Sequence, residues 1–254
     1  MKISEFYKEL GELYPASLSC SWDNDGLMCC GDAENTVERV LVCLDATSDA
    51  IDYAAKNGFD TILTHHPMVF KCLKSITDFS LGGHKVLDCL RNNVSVISMH
   101  TRFDAGKGGV NDVLAKTLEL TNLDSFGDDE CETLGRIGYI DPMGPEKFAM
   151  FVRDKLGCVS VNAYLSNKTI TRVAVVGGGA GDFIYPAMLA GADAFVCGEC
   201  KYNAALDAAD EGLTIVEAGH YQTEFPACKR LAELARDIAG AETEIYGVKT
   251  FKQI

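Results

Sequence analysis

The chain has 254 residues, of which 47% are hydrophobic and 24% are charged. This composition is typical of a globular protein with one α/β domain or two associated halves. The net charge of −14 argues against nucleic acid or an anionic membrane as a partner, because both require a basic surface. An anionic substrate stays compatible with it, since a bound metal ion can reverse the local field.

The N-terminal stretch predicts a helix rather than a targeting segment. Its apolar residues recur at helical spacing, from Ile3 through Phe6 to Leu10, and charged residues stand between them. A signal peptide would have an uncharged apolar stretch here, and no apolar run in the chain has the length of a membrane span. We therefore expect a cytoplasmic protein that does not bind a membrane.

Two stretches of the chain resemble each other. Residues 39–66 and 172–199 align without a gap, and eight of the 28 positions are identical, where chance would give about two. Each copy has the pattern of a strand, a turn, a helix that ends at a glycine, and a second strand. A further strand follows in each half and ends in His-x-x-x-acid. The sequence therefore predicts two similar βαβ-type lobes that arose by internal duplication.

We expect one domain over residues 1–254, with lobe one at about 1–123, a linker region at about 124–169 and lobe two at about 170–254. The linker region holds a hairpin-like stretch, residues 134–144, and a helix that begins at Pro145 and ends at Gly157. A C-terminal amphipathic helix ends at Gly240. Because no segment has a linker-like composition, we predict that the lobes pack as one body.

Imidazole and carboxylate side chains are concentrated at the ends of the predicted strands. In open α/β sheets, sites form at these carboxyl ends, and four of the five histidines lie there. Nitrogen and oxygen ligands together suit zinc, manganese or ferrous iron, and carboxylates can bridge two metals in hydrolytic sites. The candidates are His65, His66, His100 and Asp104 in the first half, and Glu199, His220 and Glu224 in the second.

Each of these residues also has a structural interpretation. A single histidine at a strand end is more often a buried structural residue than a ligand, but three sites at equivalent positions of a repeat are hard to explain by packing. Strand geometry predicts that His65 and His66 diverge and bind different metals; alternatively, a turn at Pro67 lets both converge. Asp23 is either an acid behind the site or part of a solvated turn.

Two other patterns have weaker functional meaning. The glycine-rich stretch 173–183 could bind phosphate, but Asp182 stands where a dinucleotide motif has its last glycine, so a tight turn is favoured. Cys197 and Cys200 form a C-x-x-C that could be a redox pair or half of a zinc site. Scattered cysteines in a cytosolic protein favour core packing instead. His84 lies on a helix pattern outside the repeat and is interpreted as structural.

Several motifs, in order along nearly the whole chain, resemble those of a known family. They include "SWDNDGL", "DTILTHHPMVF", "HTRFDAGKGGVND", "GADAFVCGE" and "EAGHYQTE". The chain resembles the dinuclear metal-centre proteins known as GTP cyclohydrolase 1 type 2 homologues (the NIF-three-like proteins) in their short form. This resemblance implies a three-layer α/β fold of two similar lobes, two divalent metal ions between them, and a toroidal homohexamer.

The resemblance also implies roles for individual residues. The metal ligands correspond to His65, His66, Asp104, His220 and Glu224. His100 corresponds to a position close to the metals, and we interpret it, with Glu199, as a supporting residue or proton relay. Arg102, which stands between His100 and Asp104, puts a cation near the site.

Two functions are consistent with these observations. The first is a metal-dependent hydrolase of the GTP cyclohydrolase type, in which metal-activated water attacks a nucleotide ring. The alternative is a non-catalytic metal-binding or adaptor protein that assembles as a ring. The polar groups beside the ligands (His100, Glu199 and Asp23) favour the first, because metal storage does not need them.

Overall fold

The structure is a computed structural model that describes residues 1–247. The described residues form a mixed α/β fold with two sheets, which confirms the predicted fold class. The chain divides into two compact units. Among the described residues, the first comprises Met1–Phe103 and residues 228–247, and the second comprises Asp104–Ala227.

The helices and strands follow one another in the order expected for repeated βα units. The elements up to residue 126 are α1 (Ile3–Leu13), β1 (Gly26–Cys29), β2 (Arg39–Cys43), α2 (Ser48–Lys56), β3 (Thr61–Thr64), α3 (Gly83–Arg91), β4 (Ser95–Ser98), α4 (Thr101–Ala105), α5 (Val110–Thr117) and β5 (Thr121–Phe126). The later elements are β6 (Gly135–Met143), α6 (Pro145–Leu156), β7 (Asn162–Tyr164), β8 (Ile170–Gly179), α7 (Ile184–Leu189), β9 (Ala194–Glu199), α8 (Tyr202–Asp210), β10 (Thr214–Glu217), α9 (His220–Glu224), α10 (Cys228–Ala239) and β11 (Glu242–Tyr246). Within residues 1–247, no helix is long and apolar enough to cross a bilayer.

The first unit is built on a sheet with the strand order β1-β4-β3-β2-β11. Strands β4, β3, β2 and β11 are parallel, and β1 is the antiparallel edge. Every residue of β3 and β4 is buried, as in sheets that are covered on both faces. Helices α2 and α3 cover one face through a core that includes Leu41, Ile51, Ile62 and Val96. The carboxyl ends of β3 and β4 are therefore held in place by a buried core.

The second unit has a six-stranded sheet with the order β5-β6-β8-β9-β10-β7. Its centre, β8-β9-β10, is parallel, and the remaining pairs are antiparallel. Helix α6 packs on this sheet through Phe148 and Val152. It begins at Pro145 and ends where Gly157 adopts a φ of 65°, so the predicted helix bounds are confirmed.

Residues 134–144 do not form the hairpin that the sequence indicates, whereas the division of the chain into two lobes and a linker region stays a prediction. The hairpin-like stretch is a single strand, β6, which lies between β5 and β8. A Cβ atom at Gly138 would lie 2.8 Å from the backbone oxygen of Thr121, so this glycine permits close strand pairing and does not mark a turn. Residues 228–247 belong to the first unit. The packing of residues 1–254 as one domain stays a prediction.

The repeat has a structural basis in both units. The Asp60 carboxylate accepts a hydrogen bond from the backbone of Arg39 at 2.7 Å, and Asp193 does the same for Arg172 at 2.9 Å. The glycine that ends each helix has a left-handed φ: Gly58 at 71° and Gly191 at 77°. The residues that the two copies share therefore stabilise the same turns of the βαβ unit in each. Their conservation between the copies is explained by these structural contacts rather than by a shared site.

Candidate metal centre

Strand register brings two histidines together in the first unit. Strands β3 and β4 are parallel, with Thr64 opposite Ser98, and the backbone of Met99 extends the ladder by donating to the Thr64 carbonyl at 2.8 Å. His66 and His100 each stand two residues beyond the end of their strand. Their ring centroids consequently lie 5.7 Å apart.

His65 joins this pair, so the predicted divergence of the tandem histidines is wrong and the alternative, convergence, is confirmed. Its ring centroid lies 5.0 Å from that of His66 and 5.2 Å from that of His100. The strand ends at Thr64 and the chain bends at both histidines, so the alternation of strand side chains stops there. The three rings offer ligand atoms that all lie within 4.8 Å of one another.

Each of the three imidazoles is oriented through its Nδ1 atom. The acceptors are the Met99 carbonyl for His65 at 2.9 Å, the Asp45 carboxylate for His66 at 2.9 Å, and the Asp23 carboxylate for His100 at 2.8 Å. An acceptor at Nδ1 assigns the proton of a neutral imidazole to that atom and gives Nε2 the lone pair. Metal-binding histidines in proteins are held in this way. The histidine cluster (His65, His66 and His100) therefore has the tautomers that a metal requires.

The Asp23 side chain is completely buried behind His100. It also accepts hydrogen bonds from the backbone and hydroxyl of Thr101, at 3.0 and 2.5 Å. Burial by itself raises the pKa of Asp23, but the hydrogen bonds from His100 and Thr101 outweigh it and lower the pKa to about 2. Asp23 is thus an ionised acid that holds His100, and its interpretation as a solvated turn is wrong.

The cation that the sequence places near the site, Arg102, is paired with a carboxylate in the structure. Its guanidinium is buried and binds Asp25 through two nitrogens, with Nε at 2.8 Å from Oδ2. Asp25 also accepts a hydrogen bond from the backbone of His100 at 3.3 Å. The buried ion pair is neutral overall and fixes the backbone at His100.

In the second unit, one turn of helix presents a histidine and a carboxylate on the same side. His220 and Glu224 begin and end α9, at i and i+4, and Nε2 lies 3.1 Å from Oε2. Ligand atoms bound to one metal at about 2.1 Å are about 3.0–3.4 Å apart in octahedral or tetrahedral geometry. Glu199, the last residue of β9, lies 3.6 Å from Nδ1 of the same imidazole. His220 and Glu224 therefore have the spacing of two ligands on one ion.

Glycines make the space for this pair, a role that the sequence did not reveal. Gly178 has a φ of 68°, and a Cβ atom there would lie 2.1 Å from Oε1 of Glu224 and 3.1 Å from Nε2 of His220. At Gly198, a Cβ atom would lie 2.8 Å from the Cα atom of His220. The glycine-rich stretch thus leaves room for the side chains of His220 and Glu224. The signal in the sequence that could have indicated this role is the run of glycines at the end of β8.

Asp104 lies in α4 and is buried, and its role as a ligand stays a prediction. The backbone carbonyl of Asp104 accepts a hydrogen bond from the amide of Asn111 at 3.4 Å. The same buried side chain accepts one from the backbone of Gly177 at 2.8 Å. Asn111, which the sequence analysis did not identify, therefore links α4 to β8 beside Gly178.

The remaining candidates have structural roles. Cys197 is buried in β9; hydrogen bonding with Cys200 raises the pKa of Cys197 and lowers that of Cys200. The burial of Cys197 agrees with the core-packing interpretation. His84 lies in α3, and its ring contacts the Ser48 hydroxyl at 3.2 Å and the Ser80 carbonyl at 3.1 Å. These contacts agree with a structural role for His84.

Comparison with known proteins finds relatives by sequence and similar folds among solved structures. The chain is 30% identical to the protein named GTP cyclohydrolase 1 type 2 homolog of Clostridium perfringens (strain 13 / Type A), over 99% of this chain and 98% of that one. The crystal structure of Staphylococcus aureus protein SA1388 matches with a TM-score of 0.90 and 24% identity, over 100% of this chain and 99% of that one. Reduced HcgD from Methanocaldococcus jannaschii matches with a TM-score of 0.83 and 24% identity, over 98% of both chains.

A family profile accounts for these similarities. The profile described as Duf34/NIF3 (NGG1p interacting factor 3) matches residues 1–252. The match includes the histidine cluster, the turn of α9 and the glycines beside it. The chain therefore belongs to the Duf34/NIF3 family.

Proposed function

We propose that this protein is a hydrolase that depends on two divalent metal ions (zinc, iron or manganese) and opens a nucleotide ring in the manner of a GTP cyclohydrolase. The observation that carries the proposal is the histidine cluster, in which an acceptor holds each Nδ1 atom. The name of the Clostridium perfringens relative, GTP cyclohydrolase 1 type 2 homolog, supports the choice of reaction. A nucleotide is accordingly the proposed substrate.

The donor set fits metals of this kind. His65 and His66 offer imidazole nitrogens, and His220 with Glu224 offers a nitrogen and a carboxylate oxygen at ligand spacing. Asp104 completes the set as a further carboxylate. Metal ions held by such ligands lower the pKa of water and polarise the atom under attack. We propose His65, His66, Asp104, His220 and Glu224 as the ligands.

His100 has a different role in the proposal, because it is the cluster member bonded to a buried, ionised acid. Asp23 fixes the proton at Nδ1 and stabilises the imidazolium that forms when Nε2 takes up a second proton. A histidine supported in this way can move a proton at Nε2 between water and substrate. Glu199, whose side chain is 64% exposed, is the proposed second proton-transfer group.

The proposal is tested by measuring metal content and GTP turnover in the same preparations. The variant His65→Ala should lose metal and activity together. The variant His100→Ala should keep the metal and lose activity, whereas loss of metal would make His100 a ligand. His84→Ala is the matched control, because this histidine lies outside the cluster, and it should keep both properties.

Two outcomes contradict the hydrolase. A wild-type protein with its full metal content that turns over neither GTP nor other nucleotides would leave the alternative, a non-catalytic metal-binding or adaptor protein that assembles as a ring. A His65→Ala variant with unchanged turnover would separate the activity from the histidine cluster altogether.

A further inference from the structure

Three aromatic rings form a corner on the first unit beside the histidine cluster. The centroids of Trp22 and Phe70 are 6.1 Å apart, and each lies 6.2 Å from that of His100. The ring planes meet at 64°, 75° and 85°, so the three walls are nearly perpendicular to one another. Trp22 is 52% exposed and Phe70 is 45% exposed, and both rings are thus accessible. We call this set (Trp22, Phe70 and His100) the aromatic corner.

The residues that follow Trp22 hold the other two walls. Asp23 accepts the hydrogen bond from Nδ1 of His100 at 2.8 Å. Asn24 donates from Nδ2 to the Val69 carbonyl at 2.5 Å, which ties the loop of Trp22 to the residue before Phe70. Three consecutive residues thus contribute one wall and position the other two. Such preorganisation lowers the entropic cost of binding a ligand.

The shape and chemistry of the aromatic corner suit a flat ring. A planar heterocycle that stacks on Trp22 or Phe70 meets the remaining walls at the edge-to-face angles that aromatic groups prefer. The imidazole of His100 adds one polar group to an otherwise apolar surface, as in small-molecule sites.

We propose that the aromatic corner binds the planar nitrogen heterocycle of the substrate, a purine base in the case of a nucleotide. This inference deepens the proposed function and rests on it for the identity of the substrate. It assigns Trp22 and Phe70 to recognition of the base, and it brings the base against the imidazole that the proposed mechanism uses for proton transfer.

A second copy of the chain is the competing occupant of this surface. Phe79 and Leu81, farther along the segment after Phe70, are 88% and 95% exposed, and exposed apolar groups of this kind are typical of interfaces. A flat ligand is favoured at the corner itself, because a surface between copies does not require a histidine with a buried, ionised partner. The test below therefore distinguishes a bound ring from a second copy of the chain that covers the aromatic corner.

The test uses the fluorescence of Trp22, the only tryptophan in the chain. Guanosine should change the emission saturably, whereas inorganic triphosphate, which has no ring, should leave it unchanged. The variant Phe70→Leu keeps an apolar side chain without a ring and should bind guanosine about 5- to 150-fold more weakly, the usual loss for a stacked base. Phe79→Leu, the same substitution at an exposed phenylalanine outside the aromatic corner, should bind like the wild type.

Several results would overturn the proposal. These are no saturable response to guanosine, an equal response to triphosphate, or unchanged guanosine affinity in Phe70→Leu. A change in molar mass by light scattering in Phe70→Leu, without a change in affinity, would assign the surface to contact between copies. A wild-type protein that has its normal metal content but does not bind guanosine refutes the aromatic corner alone, whereas a wild-type protein that binds guanosine but turns over no nucleotide refutes the hydrolase alone.

Discussion

Replacement of Gly178 by alanine should damage the second unit's ligand pair more than it damages the fold. The left-handed φ of 68° costs an alanine about 1–2 kcal/mol. The new Cβ atom would lie 2.1 Å from Oε1 of Glu224, and this side chain is only 5% exposed, so it has little room to move aside. A Cβ atom would also lie 3.1 Å from Nε2 of His220. Both proposed ligands must therefore shift.

The expected result is a loss of about 1–3 kcal/mol in the free energy of unfolding and a metal affinity at least about tenfold lower, the usual effect of disturbing the support of a ligand. Urea unfolding measures the first quantity, and metal titration of the stripped protein measures the second. The adjacent change Gly179→Ala is the matched control, because a Cβ atom there meets nothing within 4 Å. Wild-type metal affinity in Gly178→Ala would refute the proposed role of His220 and Glu224.

Three further predictions concern stability and assembly. Burial raises the pKa of Asp193, but hydrogen bonds from Arg172 and Thr171 outweigh it and lower the pKa below the usual 3.8, so this stabilisation is present above that pH and is lost as the pH falls further. Asp193→Asn should cost about 1 kcal/mol at neutral pH and flatten the acid limb of the stability curve; an unchanged curve would contradict the assignment. Gly11→Ala, in the interior of α1 with nothing within 4 Å of the new Cβ atom, should raise the free energy of unfolding by about 0.5–1 kcal/mol, and a lower melting temperature would show that this helix is constrained in some other way. A homohexamer predicts a mass of about six times 27.4 kDa by light scattering, and a monomer would refute it.

Much of the fold could be predicted, because strands, helices and the glycines that end helices leave local patterns in the sequence. The repeat shows these patterns twice. The proximity of His66 and His100 follows from patterning as well, since both stand two residues beyond parallel neighbouring strands. The sequence could not decide between divergence and convergence of His65 and His66, because the outcome depends on the residue at which the chain leaves the strand. The sequence also did not identify Asp45 as the partner of His66, since that contact joins residues from the ends of two different strands.

The prediction of a hairpin at residues 134–144 was wrong for a related reason. The nine residues of β6 include two glycines and a proline, which sequence patterns associate with turns. In the structure the glycines instead permit close approach of neighbouring strands, with a Cβ atom at Gly135 lying 2.4 Å from the ring of Phe126. Only the identity of the neighbouring strand distinguishes these two uses of glycine.

The two copies of the repeat differ in what they can become. In the alignment Gly198 occupies the position of His65, and a Cβ atom there would lie 2.6 Å from the backbone oxygen of Gly178. Any side chain is therefore sterically excluded, and Gly198→His would disrupt the strand pairing before it could supply an imidazole. The second copy of the repeat therefore cannot acquire a tandem histidine by point mutation while β8 keeps its present backbone.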